Sequence, residues 1–264
     1  MYQFEYHRPK TIAEVTALLE KLDSPKILAG GMTLLPTMKQ RLASPSDLID
    51  LQDIKSLVGI TVDAKTVTIG AMTPHFTVAT SKEIAKAIPA LAALAGLIGD
   101  PLVRHRGTIG GSVANNDPSA DYPSACLGLG ATIVTNSREI AADDYFRGMF
   151  ETALKPSEII VKIVFPIPQS AAYQKFPNPA SRYAMTGVFI AKTTGGIRVA
   201  VTGAGPGVFR ATEMETALGK NFSANAISNI TVPSDEMLQD IHGSREYRAA
   251  LVSAMAKRAV EAIQ

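Results

Sequence analysis

The 264-residue sequence has one cysteine, Cys126, and no tryptophan. A single thiol rules out an intrachain disulfide, and an iron–sulfur cluster, which takes about four thiolates, cannot be held by this chain alone. Cys126 reads as a buried structural thiol. Histidine is scarce as well. His7, His75, His105 and His242 lie far apart and show neither HxxxH nor HxH spacing, which argues against a zinc site. If the chain does redox chemistry, an organic cofactor must carry it. No charge of one sign dominates: the formal net charge is +2 and the Lys and Arg residues are scattered, so neither a nucleic-acid track nor a membrane-binding surface is expected. Long apolar runs are missing too. Even Ile88 to Ile98 is broken by Pro89 and Gly96, short of the roughly 18 residues of a membrane span. The start, Met1-Tyr2-Gln3-Phe4-Glu5-Tyr6, is acidic and aromatic with no basic or apolar leader, and points to the cytoplasm. There is no internal repeat.

What is present is the composition of a folded protein, with 46% hydrophobic and 19% charged residues, in a chain long enough for one large or two ordinary domains. Two glycine pairs organise it. Gly30-Gly31 sits in Ile27-Leu28-Ala29-Gly30-Gly31-Met32-Thr33-Leu34-Leu35, and Gly110-Gly111 in Arg106-Gly107-Thr108-Ile109-Gly110-Gly111-Ser112. Paired glycines admit positive φ and close approach of backbone to a ligand, so successive N–H groups can converge on an anion. A tight turn alone is the plainer reading of one isolated pair. Two pairs, each flanked by a hydroxyl residue, favour a diphosphate held from two sides by N–H groups, with Thr33, Thr108 and Ser112 adding hydroxyl donors.

Along the chain, Thr11-Ile12-Ala13-Glu14 predicts a capped helix over about 12–22. Strands at 26–29 and 47–51 enclose the first glycine turn and a helix from Leu34 to Arg41, making a small β-α-β unit. A strand at 67–71 precedes a helical stretch from Pro74 to Ile98 with breaks near Ser81 and Pro89, and the second glycine loop follows Arg104-His105-Arg106, a basic run expected to be exposed. Asn115 to Pro123 is a loop by its turn formers. A helix at 122–129 and strands at 131–135 and 159–165 come next, with Ile159, Val161, Ile163 and Phe165 facing one way. Pro166-Ile167-Pro168-Gln169-Ser170 marks a domain boundary, after which strands near 173–176, 183–192, 197–204 and 208–211 and helices at 212–218 and 247–263 form a smaller module. Val201-Thr202-Gly203-Ala204-Gly205-Pro206-Gly207-Val208 imitates a dinucleotide fingerprint, but its third glycine position is Val208 and a strand follows it, so it reads as a connection between strands. Asp121 ends the loop after the second pair. Its carboxylate would accept hydrogen bonds from ribose or ribityl hydroxyls, cap the next helix, or do both, since the two roles are compatible.

Ala29-Gly30-Gly31-Met32-Thr33-Leu34-Leu35-Pro36, Thr108-Ile109-Gly110-Gly111-Ser112 and Asp117-Pro118-Ser119-Ala120-Asp121 together resemble the three FAD-binding motifs of the flavoprotein (medium) subunits of molybdenum hydroxylases, a family that includes carbon monoxide and xanthine dehydrogenases. The resemblance covers the whole chain, including the tail Asp240 to Arg248. It implies an α+β fold: a two-part FAD-binding domain of the vanillyl-alcohol-oxidase/CO-dehydrogenase flavoprotein type at 1–168, with parts at about 1–55 and 56–168, followed by a smaller α+β domain at 169–264. By matching positions it implies FAD contacts at Leu28, Ala29, Gly30, Gly31, Met32, Thr33, Leu34 and Leu35 in the first loop, and at Thr108, Ile109, Gly110, Gly111 and Ser112 in the second. Asp121 matches an acid near the ribityl chain, Ile160 an apolar contact, Lys175 a lysine near the flavin, and Tyr183 an aromatic over the isoalloxazine. Pro177 to Arg182 departs from the more basic pattern of relatives.

The implied function is electron transfer: a small partner with two [2Fe-2S] clusters relays electrons from a large subunit with the molybdenum cofactor, and FAD on this chain passes them to an external acceptor. The implied assembly is a dimer of heterotrimers. A self-sufficient FAD-dependent oxidase or reductase is the alternative, and would need a substrate pocket with its own acid or base.

Overall fold

A computed structural model describes residues 1–263. It is built in three layers. The first is a three-stranded parallel sheet, ordered β1-β3-β2, of Glu5–His7 (β1), Pro25–Leu28 (β2) and Asp47–Asp50 (β3). Helix Ile12–Lys21 (α1) begins at Thr11, whose hydroxyl accepts the Glu14 N–H at 3.2 Å, and buries Val15 against Ile49. Helix Leu34–Lys39 (α2) follows the first glycine pair.

The second layer is a five-stranded antiparallel sheet, ordered β4-β5-β10-β6-β7. Its strands begin with Ile60–Val62 (β4) and Thr66–Gly70 (β5). Between β5 and the rest come His75–Thr80 (α3), Lys82–Ala87 (α4) and Pro89–Gly96 (α5), broken where the sequence places Ser81 and Pro89. Pro101–Arg106 (α6), Ile109–Asn115 (α7) and Tyr122–Leu129 (α8) then precede Thr132–Thr135 (β6) and Glu139–Ala141 (β7). A short helix Ala142–Tyr145 (α9) and a hairpin of Phe146–Gly148 (β8) and Glu151–Thr152 (β9) lead to Ile160–Pro166 (β10), at the sheet centre.

The third layer is a four-stranded antiparallel meander of Ser170–Pro177 (β11), Ala184–Thr193 (β12), Gly196–Thr202 (β13) and Phe209–Arg210 (β14), covered by Thr212–Lys220 (α10) and Arg245–Ile263 (α11). Every residue of α8 is buried, because the helix lies between this sheet and the second layer. A helix apolar all round is one packed on more than one side. The glycines at 203–207 follow β13 and return the chain to the antiparallel β14, as expected of a strand connection.

Three expectations are corrected. Residues 101–106 form a helix that the basic run concealed: Asp100 caps it through the Val103 N–H at 2.9 Å, Pro101 occupies its first turn, and Arg104 donates back to the Ile98 and Gly99 carbonyls. The second glycine pair is not a loop but the first turn of α7, and neither Gly110 nor Gly111 has positive φ. In β10 the ladder shifts register between Ile160 and Lys162, so Ile159 and Val161 pack on the first-layer core while Ile160, Ile163 and Phe165 pack on the second. An irregularity of this kind redirects side chains that strict alternation puts on one face.

Candidate functional site

A cleft of about 810 Å³ runs between the layers, bordered by both glycine-bearing segments, the α6 entry, the loop before α8 and the 180–183 loop of the third layer. Two backbone crossings give it this shape. A Cβ on Gly30 would lie 2.1 Å from the Arg106 carbonyl oxygen, and one on Gly110 would lie 2.7 Å from the Ala71 carbonyl oxygen. These glycines let main chain lie on main chain, which locks the two segments side by side.

The segments differ in what they offer a ligand. In the first turn Gly31 has φ +73°, and among the described residues the N–H groups of Gly30, Gly31, Met32 and Thr33 have no hydrogen-bond partner. In α7 the corresponding groups are all engaged. Ile109 donates to the Thr73 carbonyl, Gly110 to Ala71, Ser112 to Thr108, and Gly111 to the Thr108 hydroxyl at 3.1 Å. The expected grip on a diphosphate by amides of both segments is therefore corrected: α7 spends its amides on its own anchorage and cap. It presents hydroxyls instead. Thr108 Oγ1 accepts from Gly111 and keeps its own proton to donate, and the Ser112 side chain lines the cleft.

Of the sequence-expected contacts, Ala29, Gly30, Gly31, Met32, Thr33, Leu34, Thr108, Gly110, Gly111, Ser112, Asp121, Ile160 and Tyr183 line the cleft. Leu28, Leu35, Ile109 and Lys175 do not; Ile109 is fully buried in the second-layer core. Lys175 reaches the site through Asp121. Its Nζ lies 2.9 Å from the Asp121 carboxylate and 3.1 Å from the Leu97 carbonyl oxygen, and the Tyr173 hydroxyl donates to the same carboxylate at 2.5 Å. Both charged side chains are at most 4% exposed. The helix-cap reading of Asp121 is thus corrected, since its side chain makes no cap bond. Burial raises the Asp121 pKa, and the ammonium and the phenol oppose that rise. Tyr183 is half-exposed on the third-layer side of the cleft, where it lines the same space as Thr33 of the first turn.

His75 was not singled out by sequence, and no spacing rule marks it. It lines the cleft, buried, with Nδ1 lacking a partner, beside the Tyr122 ring, whose hydroxyl is also unpartnered. Burial, helped by the Arg104 charge, lowers its pKa to about 4, so it is neutral at pH 7. Glu158 also borders the cleft but is committed to Arg138 at 2.7 Å, Ser137 and the Lys155 N–H. Cys126 is buried with its thiol pKa pushed up, as expected of an inert thiol. Among the described residues no cluster of His, Cys, Asp and Glu could hold a metal, and no helix is long and apolar enough to cross a membrane.

These features fit a dinucleotide. Four unpaired amides at one end suit a diphosphate, hydroxyls face them from the second segment, and a buried carboxylate and an aromatic ring stand further along. Comparison with known proteins agrees. Residues 2–168 match the family described as the FAD binding domain in molybdopterin dehydrogenase. The carbon monoxide dehydrogenase medium chain of Hydrogenophaga pseudoflava is 36% identical over 98% of this chain and 96% of its own. The nicotine 6-hydroxylase medium subunit of Paenarthrobacter nicotinovorans is 35% identical over 97% and 95%. Among solved structures, a carbon monoxide dehydrogenase from Hydrogenophaga pseudoflava superposes with a TM-score of 0.90 at 38% identity, covering 99% of this chain and 97% of that one. Quinoline 2-oxidoreductase from Pseudomonas putida 86 gives 0.89 at 28% identity, covering 99% and 97%.

Proposed function

Because this chain belongs to the family of FAD-binding medium subunits of molybdopterin dehydrogenases, we propose that it is the electron-transfer subunit of such a complex. In this reading it takes electrons from [2Fe-2S] clusters on a small partner, which receives them from a large molybdenum-binding subunit, and passes them through FAD to an external acceptor. Two such heterotrimers pair, and the complex works in the cytoplasm.

When bound, FAD supplies an isoalloxazine ring that takes up and gives off electrons. The chain's own residues hold and shield it. The amides of Gly30 to Thr33 would bind the diphosphate, with the hydroxyls of Thr108 and Ser112 donating from the other side. Asp121, fixed by Tyr173 and Lys175, would accept from a ribityl hydroxyl, Ile160 would supply an apolar contact, and Tyr183 would lie against the ring. Lys175 acts through Asp121, as a positioning residue. The observation that carries this reading is the row of four unpaired amides opening into a cleft of cofactor size.

The test is removal and return of the flavin in the purified complex. The flavin-free complex should still reduce its iron–sulfur clusters but lose reduction of the external acceptor, and added FAD should restore it. Acceptor reduction at an undiminished rate without flavin would refute the proposal.

A further inference from the structure

The segment Asp117-Pro118-Ser119-Ala120-Asp121 carries two carboxylates, and only Asp121 has a part in holding the cofactor. Asp117 stands between the cleft and a second, open cavity of about 290 Å³, and lines both. Its place is fixed. The carboxylate accepts the Ser119 N–H at 2.8 Å, its main-chain carbonyl accepts the Ala120 N–H, and the Pro118 carbonyl next to it accepts the Thr202 hydroxyl and the Gly203 N–H of the third layer.

The two acids differ in their surroundings. Asp121 is buried and held by Lys175 and Tyr173. Asp117 is half-buried, has no ion-pair partner among the described residues, and keeps one oxygen free of hydrogen bonds. The titratable and charged groups around it are Tyr183 and Arg182 of the 180–183 loop, Asp121 beyond it in the cleft, and His242, Asp240 and Arg248 across the outer cavity. Asp240 and Arg248 pair with each other at 2.7 Å, and so leave Asp117 without a cation of its own. Burial raises the Asp117 pKa, and only the Ser119 N–H opposes the rise. An acid so placed can take up a proton on one side and release it on the other.

We propose that Asp117 is the proton relay of the flavin, passing protons between water in the outer cavity and the isoalloxazine ring in the cleft. The proposal rests on the reading that flavin fills the cleft with its ring against Tyr183, which lines both spaces as Asp117 does. Iron–sulfur clusters hand over electrons alone, so the proton of the reduced ring needs a route of its own. Two electrons and one proton convert FAD to the anion FADH−. Asp117 supplies that proton: its O–H bond breaks as a ring nitrogen gains the proton, and a proton from the water of the outer cavity restores the carboxyl group. When the ring gives up its electrons, the Asp117 carboxylate takes the proton back and passes it to the same water.

The test uses the flavin-loaded complex, reduced by rapid mixing with dithionite, with the flavin resolved from the clusters by its difference spectrum. In the wild type, flavin reduction should slow in D2O and slow again as pH rises, because the donating form of Asp117 is lost above its pKa. Asp117→Asn should keep its flavin, reduce it about a hundredfold more slowly and lose that pH dependence, which a merely structural role would leave in place. Asp117→His, whose ordinary pKa is about 6.5, should recover part of the rate and carry the falling limb of the profile to higher pH. Should Asp117→Asn fail to retain flavin, the position of that limb in Asp117→His decides alone. The wild-type rate and pH dependence in a flavin-replete Asp117→Asn complex, or an unmoved limb in Asp117→His, would overturn the relay while leaving the flavin reading intact. A wild-type complex without flavin would overturn both.

Discussion

At the scale of single residues, the buried pair Asp121–Lys175 is the most consequential contact. Removing one partner leaves an uncompensated charge in the interior, so Lys175→Met should cost about 3–5 kcal/mol, and the double variant with Asp121→Asn should recover part of the loss. Urea denaturation measures both, and a single-variant cost within the range of a surface pair, about 1 kcal/mol or less, would contradict the burial argument. Two further residues set the acid limb of stability. His75 is held near pKa 4 against an ordinary 6.5, so between those values the unfolded chain binds more protons and stability falls as pH drops. Glu158, lowered to about 2 from 4.5 chiefly by its hydrogen bond to Arg138, adds stability that is complete above pH 4.5 and lost as pH falls toward 2. Unfolding free energies across pH 7 to 3 should show the upper part of this slope flattened in His75→Leu and the lower part flattened in Glu158→Gln; parallel profiles in all three proteins would contradict it. Of these residues the sequence exposes Asp121 by its place at the end of the loop after the second glycine pair, Lys175 only through motif matching, and His75 not at all. Burial of an isolated histidine depends on which distant chain covers it, here the Gly107 backbone, whose carbonyl accepts the His75 N–H.

At the scale of elements, α7 is where motif and mechanism part. Its glycines are needed because Ala71 passes beneath Gly110, not because they turn a loop. Gly110→Ala would push a Cβ within 2.5–2.8 Å of Ala71. It should destabilise the protein by about 1–3 kcal/mol as overpacking does. Gly111→Ala meets only the Thr108 hydroxyl at 2.9 Å and Ala29 at 3.4 Å, and should be milder. Thr108→Val removes the cap and should cost about 1 kcal/mol. Thermal denaturation of the three variants gives the order, and a Gly111 variant worse than Gly110 would contradict it. Helices with local signals were legible: α1 from its Thr11 cap, and α3 to α5 from Ser81 and Pro89. Helix α6 was not, since its start at Asp100-Pro101 reads equally as the stop of α5. The register shift in β10 was hidden for a related reason: Ile159 to Phe165 is apolar at every position but Lys162, so alternation alone cannot show where it breaks.

At the scale of the whole molecule, we propose units at 1–168 and 169–264, supported by the chain passing from the central strand β10 to a separate sheet within Pro166–Ser170. They are not independent in stability, because Phe189 and Tyr173 of the later unit belong to the core of the earlier one and α8 is covered by β12 and β13. A fragment ending at residue 168 should therefore expose α8, bind hydrophobic dyes and lack cooperative unfolding; a sharp thermal transition in that fragment would contradict this packing. The site as a cleft could not be read from sequence, because it is made where the three layers meet, and only the glycines that let them approach leave a local trace. The central claim is that the first turn, with its free amides, holds the diphosphate while α7 contributes hydroxyls. Its most direct test is a crystal structure of the flavin-loaded complex. Diphosphate oxygens should lie at hydrogen-bond distance, about 2.7–3.2 Å, from the N–H groups of Gly30 to Thr33, with the Thr108–Gly111 cap intact. A diphosphate seated on the amides of Ile109 to Ser112, with that cap broken and the first turn empty, would contradict the account.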